Sequence, residues 1–230
     1  MARIKAVFDA DILIHLVKTK SFEFAIETLG CLYISDYVYE HEIKKDTIEG
    51  RKIDKLKNSQ KIKILEYDKL TYIQKKVYAE TYKLLKNEDD SYNPGENPIN
   101  EGERVTAAFA KACNIYYYMS DDNRASSHIR SLAAIDIVNY CDVLFLHLYV
   151  FGKLKINELR KSYNDFINLY DKDKVPRILK NKGDVCSFED MMQITYSKFH
   201  KYNNLKLLLD NVLENAKNNP AVAVDKIEKQ

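Results

Sequence analysis

The stretch Ile4 to Asp11, IKAVFDAD, decides the fold. Its apolar, partly β-branched start reads as a buried strand that delivers Asp9 at its carboxyl end. Asp11 begins a helix at once, and Ser21 opens a second that stops at Gly30. Cys31 to Ile34 is the next strand, and Ser35 caps the element after it. A long polar helix is expected from about Tyr37. A weakly alternating strand is expected from Lys61 to Tyr67. From Leu70 the apolar residues Leu70, Ile73, Val77 and Leu84 recur at helical spacing. Asn87 to Glu103 holds six acids, no Lys or Arg, and the turn signals NPGENP, so it reads as an exposed loop. A helix from about Asn100 to Ala112 and a strand from Ile115 to Met119 come next, and Ser120-Asp121-Asp122 follow directly. A helix (Ala125 to Ala133), a strand (Ile135 to Val138) and a helix (Val143 to Phe151) complete the alternation. Strands alternating with helices predict an α/β fold with a mainly parallel sheet. Beyond Lys155 the chain reads as helical, with a capping box from Ser187 to Asp190 and a frayed tail after Asn219-Pro220.

The chain has 230 residues, enough for one domain of roughly 150 residues plus additions. Hydrophobic residues at 46% and charged residues at 30% exclude a disordered chain. A net charge of +2 excludes a strongly basic nucleic-acid coat but permits a local basic patch. Cys31, Cys113, Cys141 and Cys186 lie far apart with no CxxC, and no HxxxH or HExxH occurs, so zinc is not expected. The scattered His15 and His147 read as core residues. No glycine-rich phosphate loop is present. No apolar stretch is long enough to span a bilayer, and the N-terminus shows no signal-peptide pattern. A reduced, cytoplasmic protein with no membrane contact is expected.

In a parallel α/β sheet, ligands bind outside the carboxyl ends of the strands. Acids gather there: Asp9 and Asp11 after the first strand, Glu40 and Glu42 after the second, Asp121 and Asp122 after the third. Glu101 and Glu103 open the preceding helix. Converging carboxylates raise one another's pKa unless a cation neutralises them. Hard oxygen ligands suit Mg²⁺ or Mn²⁺, which activate water and neutralise a phosphodiester. Each acid also has a plainer role: Asp9 as a helix cap, Glu101 and Glu103 as complements of a helix dipole, Glu40 and Glu42 as solvated face residues.

FDADILIHL (Phe8 to Leu16), CLYIS with EHEI (Cys31 to Ser35, Glu40 to Ile43), EGERVTAAFAKA (Glu101 to Ala112) and YYMSDDNRASSHI (Tyr117 to Ile129) resemble, in order, the motifs of PIN-domain ribonucleases. The closest branch carries a Gly-Glu pair and a Ser-Asp-Asp. The resemblance covers about residues 3–170. It implies a PIN-like three-layer fold over residues 1–172 with a helical insertion at about 44–98, and a helical C-terminal extension over 173–230. It also implies a Mg²⁺- or Mn²⁺-dependent endoribonuclease. Asp9, Glu103, Asp121 and Asp122 would be the metal-binding acids, and Asp9, Glu42, Glu103 and Asp121 the catalytic set. The helix acid is ambiguous. Glu42 precedes an apolar residue as the family's acid does, yet the spacing from Ser35 falls on His41, so Glu40 stays open. Asp11 stands where the family commonly has Ser or Asn, and could add a ligand. The substrate would be RNA. A toxin with a partner antitoxin protein, or a homodimer, is also implied.

Lys44 to Lys63 holds eight Lys/Arg against three acids. Arg51, Lys52, Lys55 and Lys57 are candidate RNA phosphate contacts, although a solvated helix face is the plainer and favoured reading of them. Two other functions fit the same residues. One is a non-catalytic PIN-like scaffold that binds nucleic acid or protein. The other is a phosphatase of the haloacid-dehalogenase type, which FDADI and SDD also resemble, with Asp9 as nucleophile, Asp11 as acid/base and Lys111 as its cation.

Overall fold

The computed structural model describes residues 4–90, 100–121, 129–171, 175–176, 179–181 and 184–217. β1 (Lys5–Phe8) is the middle strand of a five-stranded, wholly parallel sheet. Ala6, Val7 and Phe8 are completely buried, as a parallel strand covered on both faces must be. α1 (Ala10–Lys18) and α2 (Phe22–Leu29) lead to β2 (Cys31–Ser35). Gly30, at φ +87°, makes the reversal between α2 and β2 that a side chain would oppose. α3 (Ile48–Asn58) leads to β3 (Ile62–Leu65). α4 (Tyr72–Asp90) and α5 (Glu101–Ala112) carry the chain across to β4 (Tyr117–Met119), on the other side of β1, and β5 (Asp136–Val138) comes after it. The order is β3-β2-β1-β4-β5. Strand order therefore reverses between β1 and β4, which is where parallel sheets open a crevice at their carboxyl ends. Phe8 is level with Ile34 and with Met119, so Asp9, Ser35 and Ser120 leave the sheet side by side.

The expected long helix from Tyr37 is two pieces. A single wide turn, Val38–Glu42, closes with the Ile43 N–H donating to the Val38 carbonyl five residues back, at 3.1 Å. Ile43 then turns extended, and Thr47 caps α3 by accepting the Gly50 N–H at 3.0 Å. The stretch expected as a helical insertion also supplies β3, whose residues pair with Leu32 to Ser35 at the sheet edge.

α4 is the helix that the apolar spacing predicts, and it turns much of that stripe outward. Ile73 is 72% exposed and Leu84 46%, whereas Thr81 and Leu85 are buried. Leu85 joins Val7, Ala107, Tyr118 and Ile137 in the core. The small residues of α5, Ala107, Ala108 and Ala110, are buried, and Thr106 bonds the Ser35 hydroxyl at 3.1 Å. The expected helix at Ala125 to Ala133 is described only as a short wide turn, Ile129–Ala133, and its earlier part lies outside the described residues. The expected loop at 91–99 and the tail beyond 217 lie outside them too.

The chain divides into two compact units, residues 5–17 with 29–140, and residues 1–4, 18–28 and 141–230. The second unit is helical: α2, α6 (Tyr140–Phe151), α7 (Ile156–Ile167), α8 (Phe188–Lys201) and α9 (Asn203–Lys217), with a small hairpin of β6 (Lys180–Asn181) and β7 (Asp184–Val185). Phe145 meets Phe199 at 5.1 Å, and the buried Asp142 pairs with Lys198. His147 is a core residue, held between Phe24 and Phe151, and its burial lowers its pKa to about 3. Ser187 caps α8 as expected. Among the described residues no helix is long and apolar enough to cross a membrane.

Truncating adjacent leucines of α4 tests which face it buries. Leu85→Ala should cost about 2–5 kcal/mol and Leu84→Ala less than about 0.5 kcal/mol, read from urea midpoints at unchanged slope. Equal losses would place the wrong face inside.

Candidate active site

Asp9 is 4% exposed at the end of β1. Its backbone N–H continues the ladder to the Met119 carbonyl at 2.9 Å. Its carboxylate accepts the Ala10 N–H at 2.9 Å and the Ser120 hydroxyl at 3.3 Å. The first of these is the helix-start role open to any strand-end Asp. Its surroundings are less ordinary. Burial, and then the charges of Glu103, Asp11 and Glu42, push its pKa from 3.8 up to about 8.

Glu103 is 3% exposed, in the first turn of α5. The Asn100 side chain accepts the Glu103 N–H at 2.8 Å, and the Glu103 carboxylate accepts the Asn100 N–H at 2.9 Å. This capping box fixes the carboxylate while leaving its charge acting on Asp9. The helix-start role of Glu103 is thus realised, and the same side chain bears on Asp9 through its charge.

The wide turn sends Glu40 and Glu42 different ways. Glu40 points outward and pairs with Lys45. Glu42 lies over Gly102: a Cβ built there would sit 2.0 Å from Glu42 Oε1. Glycine at 102 is what lets this carboxylate rest against the start of α5. Burial, then Asp11, raises the Glu42 pKa. Asp11 itself is exposed on the first turn of α1.

Glu101 does not join the cluster. It accepts from the Tyr82 hydroxyl at 2.8 Å and from Arg104 at 2.9 Å. Partial burial opposes its charge, but those two donors outweigh it and hold the carboxyl below its usual range. Asp121 also goes elsewhere. One oxygen is 2.7 Å from His15 Nδ1 and the other accepts the Tyr140 N–H at 2.8 Å. Asp122 lies outside the described residues. His15, expected in the core, is thus a half-buried partner of Asp121 that its apolar helix concealed. Its only sequence signal is the four-residue spacing from Asp11, which sets both on one face of α1.

Tyr118 is a second residue that sequence reasoning missed. It is wholly buried on β4, and its hydroxyl makes no well-formed hydrogen bond. Burial, then Asp9, Glu103 and Glu42, drive its pKa well up. Its hydroxyl thus lies among the same acids that act on Asp9, with Asp9 the acceptor within reach.

Asp9, Glu42 and Glu103, with Asp11 beside them, are an all-oxygen donor set whose chemistry suits a hard divalent ion. Their side chains converge in charge but are not closed up: among the described residues no three acids, histidines or cysteines meet at metal-ligand spacing. Of the basic candidates, Lys52 and Lys55 are exposed on α3. Arg51 donates to the Asp46 carbonyl at 2.7 Å, and Lys57 lies over the Tyr39 ring at 4.5 Å.

Compared with protein-family models, with curated proteins and with solved structures, the chain finds no match.

The Asp9 shift fixes a pH dependence. Below its ordinary value of 3.8 both folded and unfolded chains hold the proton; between 3.8 and about 8 only the folded chain does. Stability without metal should therefore fall as pH rises through that window, by of order 1 kcal/mol per pH unit from this group. Asp9→Asn should remove that contribution and be the more stable protein at the alkaline end. Parallel urea-unfolding profiles for the two proteins would contradict the buried cluster. A second variant, Gly102→Ala, displaces only the end of the Glu42 side chain. It should keep its stability in chelator and lose much of any stabilisation by Mn²⁺, and an undiminished Mn²⁺ response would take Glu42 out of the site.

Proposed function

We propose that this chain is a PIN-type endoribonuclease that uses Mg²⁺ or Mn²⁺. The observation that carries the reading is Asp9, buried where the strand order reverses and raised to about 8 by burial and three neighbouring carboxylates. A bound cation would relieve that repulsion, and a carboxylate perturbed by burial and like charges in a strand-end crevice is a functional-site candidate. Asp9, Glu42 and Glu103 would hold the ion. When bound, such an ion neutralises phosphodiester charge and activates water. Ser120 steadies Asp9, Asn100 steadies Glu103, and Gly102 leaves the space that Glu42 needs.

Two features count against the phosphatase alternative. Lys111 is exposed in the last turn of α5, whereas Glu103 is in the first, about 12 Å away along the axis. The helix ends at Cys113, on which Lys5 at the start of β1 acts, so Lys111 stands at the wrong end of the sheet. The binding-scaffold alternative draws on the open spacing of the acids and on Asp121, whose two oxygens are both engaged. In either reading a partner protein or a second copy would find exposed apolar groups at Ile73 and Leu84.

The test is cleavage of a labelled single-stranded RNA by purified protein, with Mn²⁺ and with chelator. Asp9→Asn and Glu42→Gln should each lose at least ~100-fold in rate, and Glu40→Gln should keep most of it. Metal-dependent stabilisation should accompany activity, about 2.7 kcal/mol at one hundred times the dissociation constant. Protein that gains no stability from Mn²⁺ or Mg²⁺ and cuts no RNA leaves the scaffold reading. Turnover of a chromogenic phosphate ester would favour the phosphatase.

The exposed face of α3 makes a separate prediction. Changing Lys52 and Lys55 to Gln should weaken RNA binding at low salt and reduce the salt slope by up to about 1.4, at about 0.7 per phosphate contact. Metal affinity and stability should stay the same. An unaltered slope would mean that α3 does not carry the strand.

A further inference from the structure

Tyr37 beyond β2, Tyr67 in the turn after β3, and Tyr78 and Tyr82 on α4 line one cleft of about 310 Å³. Asp36 and Glu101 are its acidic groups. Glu101 adjoins Gly102, where Glu42 rests, so the cleft and the acid cluster share the first turn of α5. The rings are held in place. Tyr67 meets Tyr78 edge-on at 5.2 Å, and Tyr78 and Tyr82 are nearly parallel, with centroids 6.3 Å apart. Phe109 backs Tyr78 at 4.8 Å. The Tyr82 hydroxyl donates to Glu101 at 2.8 Å, and Asp36 accepts the backbone N–H groups of Tyr37 at 2.7 Å and Tyr67 at 3.4 Å. Tyr67 remains 41% exposed.

This lining selects its occupant. It offers aromatic faces and two acids, Glu101 paired with Arg104 and Asp36 holding two backbone N–H groups, and its described lining residues include no Lys or Arg. With Asp36 in the lining, the cleft favours a neutral group over a phosphate. A flat ring bearing N–H donors would stack on the tyrosines and could donate to the acids. Lys75, 5.0 Å from the Tyr67 ring centre, supplies positive charge beside the cleft for a backbone. We propose that the cleft is a nucleobase subsite that takes one unpaired base of a single-stranded nucleic acid. The proposal rests on the nuclease reading above and extends it to how the strand is gripped next to the acids.

The test is binding of a labelled short oligoadenylate and of an abasic strand of equal length, in chelator so that nothing is cut. Wild-type protein should prefer the base-bearing strand by about 5- to 100-fold, the range of one stacked base. Tyr67→Ala should lose that preference and bind the abasic strand as wild type does. Tyr67→Phe, which keeps the ring, should retain it. Tyr67 is exposed enough for the alanine variant to fold, and its urea midpoint checks this. If wild type binds both strands equally, or Tyr67→Ala keeps the preference, the subsite is overturned while strand binding stands; a cleft built for a peptide would give that result. If wild type binds neither strand, the nucleic-acid reading falls and the subsite falls with it.

Discussion

A strand with no exposed face constrains everything around it. Ala6, Val7 and Phe8 are completely buried, so β1 must have a neighbour on each edge and helices over each face. Parallel neighbours need long crossovers, which the chain supplies with α1 and α2 on the way to β2, and with α4 and α5 on the way to β4. Filling one side of β1 first and the other afterwards creates the reversal of strand order. The residue that leaves β1 at that reversal is an aspartate. Its position results from the same burial that makes the strand.

That placement is costly for Asp9, and the surrounding structure offsets the cost only in part. Two hydrogen bonds stabilise its charge, while burial and three carboxylates oppose it more strongly. A core built only for stability would put an amide or an apolar group there. Two of the three neighbouring acids sit in arrangements that are sound in themselves: Glu103 in a capping box, Glu42 over the hollow at Gly102. Local rules are satisfied while the charges conflict. That combination is the usual mark of a site whose geometry answers to a ligand.

The legible parts of the sequence are those with local causes. The β1 run, the Ser35 and Ser187 caps, and Asn100 as the start of α5 all announce themselves within a few residues. Asp9 and Glu103 are legible because strand ends and helix starts are local features. The other features arise across long sequence separations. Glu42 is separable from Glu40 only through a wide turn and a glycine sixty residues on. His15 meets Asp121, 106 residues away. The α4 stripe Ile73, Val77 and Leu84 announces the helix and not its packed face, since the core accepts Leu85 with the polar Thr81 on the same side. Periodicity identifies a helix and leaves its packed face to tertiary contacts.

Asp121 shows how chain register and energy can disagree. It comes directly after Ser120, which touches Asp9, and successive residues leaving a strand point to opposite sides. Asp121 therefore turns to His15 and to the Tyr140 N–H, and the carboxylates that raise Asp9 are Glu103, Asp11 and Glu42. Hydrogen bonds to a charged group contribute about 1.5–3 kcal/mol each. Bringing Asp121 to Asp9 would break two of them and add another like charge to a crowded place. A cation that recruited Asp121 would have to supply that energy, whereas the charges of Glu42 and Glu103 already act on Asp9. Of the acids at the sheet's carboxyl end, the one nearest in strand register is thus the more expensive donor, and the one admitted by Gly102 is the cheaper.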